Sequence, residues 1–318
     1  MKREVFFLIG ANGAVLWSDT SDSPLAIPDS RARWEAIWSR RTELLELAHS
    51  HPLGPEDFSA EDVSTMRALD DALGRRLKFS LVTPTQYLVR DAHDRAVPEP
   101  AVPAWVATLR RASGIPTLEE HLASWEAAGP TGDAEHRARL EALVHALRLE
   151  LERTGRLAVL FVCTHNSRRS HLAQLLGLAA ARHAGLPLVS TYSGGTEVTA
   201  FNTRAVAALR RVGFEIDDAP GENPRYAVRF SSAEAPTLAF SKRITDPANP
   251  SADFVAVMTC TQADAACPFV SGARHRVSLP YEDPKRADDT PSEAKTYDER
   301  VEQIGRDLVW VFRQVAAR

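Results

Sequence analysis

Leu157-Ala158-Val159-Leu160-Phe161-Val162 runs directly into Cys163-Thr164-His165-Asn166-Ser167-Arg168-Arg169-Ser170. The apolar run reads as a buried strand, the polar stretch as a loop, and a long helix follows to about residue 184. Working outward, strands are expected at 187–193, 253–259 and near 276–280, with helices at 202–212 and 292–316. Strands alternating with helices imply an α/β fold with a doubly wound, parallel four-stranded sheet over 156–318. Ligands in such sheets bind at the carboxyl ends of the strands, which points at Cys163.

The spacing there is Cys, five residues, Arg, Ser. A loop of this kind wraps backbone N–H groups around a tetrahedral oxyanion at a helix N-terminus, whose partial positive charge adds to the attraction. Arg169 supplies a bidentate guanidinium fork. The same field favours Cys163 as a thiolate nucleophile, with Ser170 as its hydrogen-bond partner and Asn166 holding the loop's shape.

These residues resemble the low-molecular-weight protein tyrosine phosphatase family, which includes the thioredoxin-coupled arsenate reductases. The resemblance extends to Tyr192-Ser193-Gly194-Gly195-Thr196 and to Tyr281-Glu282-Asp283-Pro284. It implies Asp283 as general acid, protonating the leaving oxygen. The chain has three cysteines, and the other two sit in Cys260-Thr261-Gln262-Ala263-Asp264-Ala265-Ala266-Cys267-Pro268. That segment is similar to the redox segment of the reductases. The implied relay has Cys163 attacking arsenate, Cys260 attacking Cys163, and Cys267 attacking Cys260 to present a disulfide to thioredoxin.

A phosphatase needs only the first cysteine, so the expected function is arsenate reduction. Hydrolysis of a phosphomonoester through a cysteinyl-phosphate is the alternative, and a redox sensor or scaffold a third. Lys285 and Arg286 stand where the phosphatases typically carry aromatic residues that clamp a phosphotyrosine ring. Gln174 stands where some reductases have a Glu near a bound cation, so no cation is expected there.

A second chemistry lies upstream. Phe6–Gly10, Asn12-Gly13 and Ala14–Trp17 read as a β-hairpin, Trp34, Ile37 and Trp38 as a helix over 30–40, and Glu43–Ala48 as a strand running into His49. Residues two apart on a strand share a face, so His49 and His51 reach one metal ion, and Asp62, on a helix starting near Ser59, adds a carboxylate. Two imidazoles and a carboxylate leave a fourth position for water, the arrangement of a catalytic zinc.

His49-Ser50-His51-Pro52 followed by Ser59-Ala60-Glu61-Asp62 resembles the JAMM (MPN or Mov34) metalloprotease family. The resemblance implies an α+β domain over 1–112 that binds Zn2+ and acts on peptide or ubiquitin-like substrates. Ser59 then helps to stabilise the tetrahedral intermediate, and an early Glu acts as general base. Glu4 fits best, with Glu35 and Glu46 as fallbacks.

Val97-Pro98-Glu99-Pro100-Ala101-Val102-Pro103 reads as a stiff boundary segment. Helical patterns follow at 104–112, 117–127 and 134–153; the region 113–155 is expected to be a helical connecting segment, with the amphipathic, highly charged 134–153 as a solvent-facing connecting helix. The composition is 44% hydrophobic and 25% charged with a net charge of −4, ordinary for a soluble globular protein and no electrostatic case for nucleic acid or a polybasic membrane anchor. No run approaches the ~20 apolar residues of a membrane span. Three cysteines, an odd number, speak against a disulfide framework and for a reducing cytoplasm.

Overall fold

The computed structural model describes residues 2–53, 55, 57–84, 86–99, 103–216, 219–230, 235–267 and 269–317. The chain divides into two compact units, Met1–Thr117 with Arg210–Gly213, and Leu118–Leu209 with Phe214–Arg318.

The first unit is built from β1 (Val5–Ile9), β2 (Val15–Thr20), α1 (Arg31–Ser39), β3 (Glu46–Ser50), α2 (Ala60–Leu73), β4 (Lys78–Val82), β5 (Tyr87–Arg90), β6 (Ala96–Pro98) and α3 (Trp105–Ala112). The sheet runs β2-β1-β3-β4-β5-β6, antiparallel except where β3 meets β4. The expected hairpin forms, with Asn12 at φ 57° and Gly13 at φ 73°. Side chains alternate across the sheet. Leu8, Leu47 and Leu81 pack with Ile37 of α1 and Met66 and Leu69 of α2, whereas Phe7, Ile9 and Ala48 pack with Trp105 and Leu109 of α3.

β3 begins later than expected. The amide N–H groups of Glu43 and Leu44 both donate to the Arg40 carbonyl, so the turn leaving α1 occupies the first residues of the expected strand. The ladder then runs through His49 and on to His51, whose N–H donates to the Val82 carbonyl. Of the expected boundary segment, Val97 and Pro98 belong to the edge strand β6, where proline is tolerated. Residues 100–102 of that segment lie outside the described residues.

The second unit comprises α4 (Leu118–Ala128), α5 (Ala134–Thr154), β7 (Leu157–Cys163), α6 (Arg169–His183), β8 (Val189–Gly195), α7 (Thr203–Arg211) up to Leu209, β9 (Glu215–Ile216), β10 (Tyr226–Arg229), β11 (Thr237–Ala239), β12 (Phe254–Met258), α8 (Thr261–Ala266), β13 (Ala273–Ser278) and α9 (Glu293–Ala316). Its main sheet is four-stranded and parallel throughout, in the order β13-β12-β7-β8. Phe161 faces Gly177 of α6, which also approaches Leu308 of α9, whereas Leu160 and Val162 pack with Ala263 of α8. Helices therefore cover both faces.

Two features depart from the sequence reading. The helices at 118–154 are no connecting segment: they belong to the second unit, and α5, far from facing only solvent, packs on α9, β12, β13 and β7. Leu140, Leu143, Val144 and Leu147 are its buried stripe, and the charged residues around them only lengthen its polar side. A separate antiparallel sheet, β11-β10-β9, also stands in the long segment before β12, where no strands were expected. Its strands are of four residues or fewer, too short to register as periodicity. Among the described residues, no helix is long and apolar enough to cross a membrane.

Candidate active site and candidate metal centre

β7 ends at Cys163 with its neighbours in parallel register, Val162 beside Met258 and Cys163 beside Gly195. Three strand ends thus converge on one loop. A Cβ on Gly195 would lie 2.6–2.7 Å from backbone atoms of Glu197, Asn166 and Thr164, so only glycine lets the loop come this close.

Asn166 sits at φ 44°, in the left-handed region that asparagine tolerates better than most residues. Its Nδ2 donates to Ser170 Oγ at 2.8 Å, and its Oδ1 accepts from the Lys242 amide at 2.8 Å. Ser170 Oγ in turn lies 3.1 Å from Cys163 Sγ, which fixes the nucleophile at the head of α6. No side chain caps the first turn of α6.

Arg169 is 8% exposed. Its Nη2 donates to Asp283 Oδ2 at 2.7 Å and its Nη1 to the Tyr281 carbonyl at 3.2 Å, while its buried Nε has no partner among the described residues. Asp283 opens the 3-10 turn Pro284–Ala287, accepting from the Lys285 amide at 3.1 Å. Arginine and carboxylate are therefore paired before any oxyanion arrives. Arg168 reaches Tyr297 Oη at 2.9 Å, and His165 lies 3.3 Å from Glu197 at the exposed rim. Gln174 donates to the Thr191 carbonyl at 3.3 Å.

Cys260 follows β12 and is fully buried. It caps the N-terminus of α8, its Sγ accepting from the Ala263 amide at 3.3 Å, and it lies 3.6 Å from Thr164 Oγ1, on the residue next to Cys163. Cys267 closes the same helix and is partly exposed. All three cysteines are free; Cys163 and Cys260 belong to one apolar cluster with Leu160, Val162 and Met258, and the partly exposed Cys267 packs against it. Pro268 lies outside the described residues.

Sequence reasoning missed Thr164 and Lys242. Lys242 follows Asn166 by 76 residues, and no local pattern links them. Burial pushes its ammonium down to about 8. His171, stacked on Phe201 with ring centroids 4.1 Å apart, is pushed down to about 3 by burial and then by the Lys242 charge.

In the first unit, His49, His51 and Asp62 come together as expected. His49 Nε2 lies 3.1 Å from His51 Nε2 and 3.2 Å from Asp62 Oδ1, and His51 Nε2 lies 3.5 Å from Asp62 Oδ2. Ligands held at 2.0–2.1 Å in a tetrahedron are about 3.3 Å apart; one ligand atom from each of the three residues lies within 4.8 Å of the others, a spacing that a small shift would close onto a zinc ion. His51 Nδ1 is 3.0 Å from the Pro55 carbonyl, so a neutral ring keeps its proton on Nδ1 and can offer Nε2 to a metal ion.

Asp62 is held by a reciprocal capping box: its N–H donates to Ser59 Oγ, and its Oδ2 accepts from the Ser59 amide at 2.8 Å and the Ser59 hydroxyl at 2.7 Å. Burial opposes the Asp62 charge, but hydrogen bonds from His49 and His51 hold the carboxyl well below the usual range.

Glu4 joins them. β1 and β3 pair Phe6 with His49, and the same antiparallel register carried two residues outward sets Glu4 opposite His51 on the same face. The residue is 5% exposed, and burial raises its pKa against the pull of the two histidines. The fallbacks are corrected. Glu46 has the opposite strand parity and points to the other face, where it accepts from Tyr87 Oη at 3.1 Å and pairs with Lys78 at 3.3 Å. Glu35 is exposed on α1 and pairs with Arg31.

Residues 158–225 match the model of a known family, low molecular weight phosphotyrosine protein phosphatase. No curated protein matches the chain. Among solved structures, a low molecular weight phosphotyrosine phosphatase from Vibrio cholerae O395 is 18% identical, with a TM-score of 0.34 over 48% of this chain and 92% of its own. The YwlE arginine phosphatase from Geobacillus stearothermophilus is 14% identical, with a TM-score of 0.32 over 51% and 91%. A thioredoxin-dependent arsenate reductase from Corynebacterium glutamicum is 20% identical, with a TM-score of 0.27 over 64% and 87%. The stretch that matches the family contains Cys163, Asn166, Arg169 and Ser170, and ends before Cys260, Cys267 and Asp283.

Proposed function

We propose that the second unit reduces arsenate to arsenite with electrons from thioredoxin. The observation that carries this reading is the gathering of every cysteine of the chain in or against one apolar cluster at the ends of β7 and β12. Arg169 receives the oxyanion in exchange for Asp283. The Cys163 thiolate attacks arsenic, and Asp283 in its protonated form gives its proton to the departing oxygen, which leaves as water. Cys260 then attacks Cys163 Sγ. A sulfur–sulfur bond forms, the sulfur–arsenic bond breaks, and its electron pair stays on arsenic, which leaves as arsenite. Cys267 displaces Cys163 from Cys260, and the dithiol of thioredoxin reduces the Cys260–Cys267 disulfide.

Phosphomonoester hydrolysis is the second reading, favoured by the family match over 158–225. It needs Cys163, Arg169 and Asp283 only. The separating measurement is NADPH consumption with thioredoxin and thioredoxin reductase, with and without arsenate. Arsenate-dependent oxidation is expected, falling at least a hundredfold in Cys163→Ser and in Cys267→Ser. Aryl-phosphate hydrolysis that needs Cys163 but not Cys267, with no arsenate-dependent oxidation, establishes the phosphatase instead.

For the first unit we propose a Zn2+ site held by His49, His51 and Asp62, serving hydrolysis of a peptide or ubiquitin-like substrate. When bound, zinc supplies Lewis acidity and makes water a nucleophile near neutral pH. Glu4, buried with a raised pKa, is suited to take a proton from the attacking water and return it to the leaving amine. Ser59 keeps Asp62 in place and offers a hydroxyl beside the site.

A further inference from the structure

Cys260 and Cys267 cap the two ends of α8. Seven residues along a helix rise about 10 Å, whereas a disulfide requires Cα atoms within ~7 Å. Their disulfide therefore forms only when α8 gives up its turns. Among the described residues, the side chain that makes the most hydrogen bonds to α8 is Arg276 of the edge strand β13. Arg276 Nε donates to the Cys267 carbonyl at 2.9 Å, and its Nη2 donates to the Asp264 carbonyl at 2.7 Å and to Asp264 Oδ1 at 2.6 Å. The other carboxylate oxygen of Asp264 accepts from Ser278 Oγ at 2.7 Å, and Arg139 of α5 donates to that hydroxyl at 3.1 Å. One guanidinium thus takes two carbonyls that a helix end leaves unsatisfied, and grips the carboxylate lying between the two cysteines.

We propose that Arg276 is a positioning residue that latches the redox helix in its dithiol form, a role that rests on the three-thiol reading above. The exchange it governs is attack of the Cys267 thiolate on Cys260 Sγ. The Cys260–Cys267 bond forms, the Cys163–Cys260 bond breaks, Cys163 leaves as thiolate, and no net electron is gained or lost. The latch exists in the helical dithiol and is broken in the disulfide, so it disfavours the disulfide. It holds Cys260 beside Cys163 until the first disulfide is made, and its loss makes Cys260 and Cys267 pair more readily.

The test uses the full chain carrying Cys163→Ser, equilibrated against mixtures of reduced and oxidised dithiothreitol, with the Cys260–Cys267 disulfide counted by alkylation and mass. Adding Arg276→Gln is expected to shift the equilibrium about tenfold toward the disulfide, a potential about 30 mV more negative. Ser278→Ala, which removes one hydrogen bond from Asp264, is expected to shift it two- to threefold in the same direction. An unchanged potential in Arg276→Gln overturns the latch. If Arg276→Gln does not fold, an unchanged potential in Ser278→Ala overturns it instead. A parent that forms no Cys260–Cys267 disulfide at any ratio defeats the reductase reading and the latch with it.

Discussion

Around Cys163, the loop partners Asn166, Arg169 and Ser170 lie within eight consecutive residues, and the strand-loop-helix turn itself brings them together. Around His49, by contrast, the groups come from the lead-in to β1, the end of β3 and the first turn of α2, joined only by sheet register and helix packing. Their electrostatics differ as well. The Arg169 guanidinium is met by Asp283, and one of its N–H groups has no partner among the described residues, which suits an incoming anion. At the other site two carboxyl groups, Glu4 and Asp62, face two imidazoles, which suits an incoming cation. A site made from one short stretch is built by local backbone geometry; a site made from three elements exists only after its unit has folded. Ligand binding at the second kind is tied directly to the stability of the fold around it.

That difference is sharpened most by zinc. At free zinc a hundredfold above the dissociation constant, the unfolding free energy of the first unit is expected to rise by about 3 kcal/mol. In His49→Ala/His51→Ala the rise is expected to vanish. Denaturant unfolding of the full chain at buffered zinc measures it, and a parent protein indifferent to zinc sinks the metal site.

The next effect belongs to the active site. His171 is buried and neutral, with its pKa pushed down to about 3 from the ordinary 6.5, and its Nδ1 sits 3.4 Å from Asn166 Nδ2. Its folded pKa is depressed, so between pH 6.5 and 3 the unfolded chain binds a proton that the folded chain refuses. Stability from this group is thus complete above pH 6.5 and lost as the pH falls. Between pH 7 and 5 the loss is about 2 kcal/mol. His171→Phe, which keeps the stack on Phe201, is expected to remove that part of the acid sensitivity. Equal pH slopes for parent and variant, followed by denaturant titration, count against the assignment.

The same contrast explains what was legible in the sequence. Cys163, Arg169 and Ser170 are readable because spacing along one loop sets their geometry. His49, His51 and Asp62 are readable because strand alternation and a helix cap each fix one placement. Glu4 was named on position alone. Its partner across the ladder is defined by pairing between β1 and β3, which no local window contains. Glu46 failed as a fallback because the start of β3, and not composition, sets which residues face the histidines. Lys242 and Thr164 were invisible for a related reason, since their contacts with Asn166 and Cys260 cross 76 and 96 residues of chain. The α5 helix was misread because its buried stripe is narrow and its charges are many.

The smallest effect separates two roles for Ser59. As the N-cap of α2 it accepts from the Asp62 amide, and Ala at such a position costs about 1 kcal/mol. Its hydroxyl also donates to Asp62 Oδ2, the oxygen nearer His51. Asp62 keeps its contacts with both histidines and with the Ser59 amide when the hydroxyl is gone. Ser59→Ala is therefore expected to lower the zinc-free stability of the first unit by about 1 kcal/mol while zinc still binds one per chain. Ser59→Asn, which retains a capping oxygen, is expected to recover most of that loss. Zinc bound in less than stoichiometric amount by both Ser59→Ala and Ser59→Asn would mean that the hydroxyl, through Asp62, sets the metal geometry. Unchanged stability in both would mean that the side-chain cap contributes nothing, and that the two histidines and the Ser59 amide suffice to place Asp62.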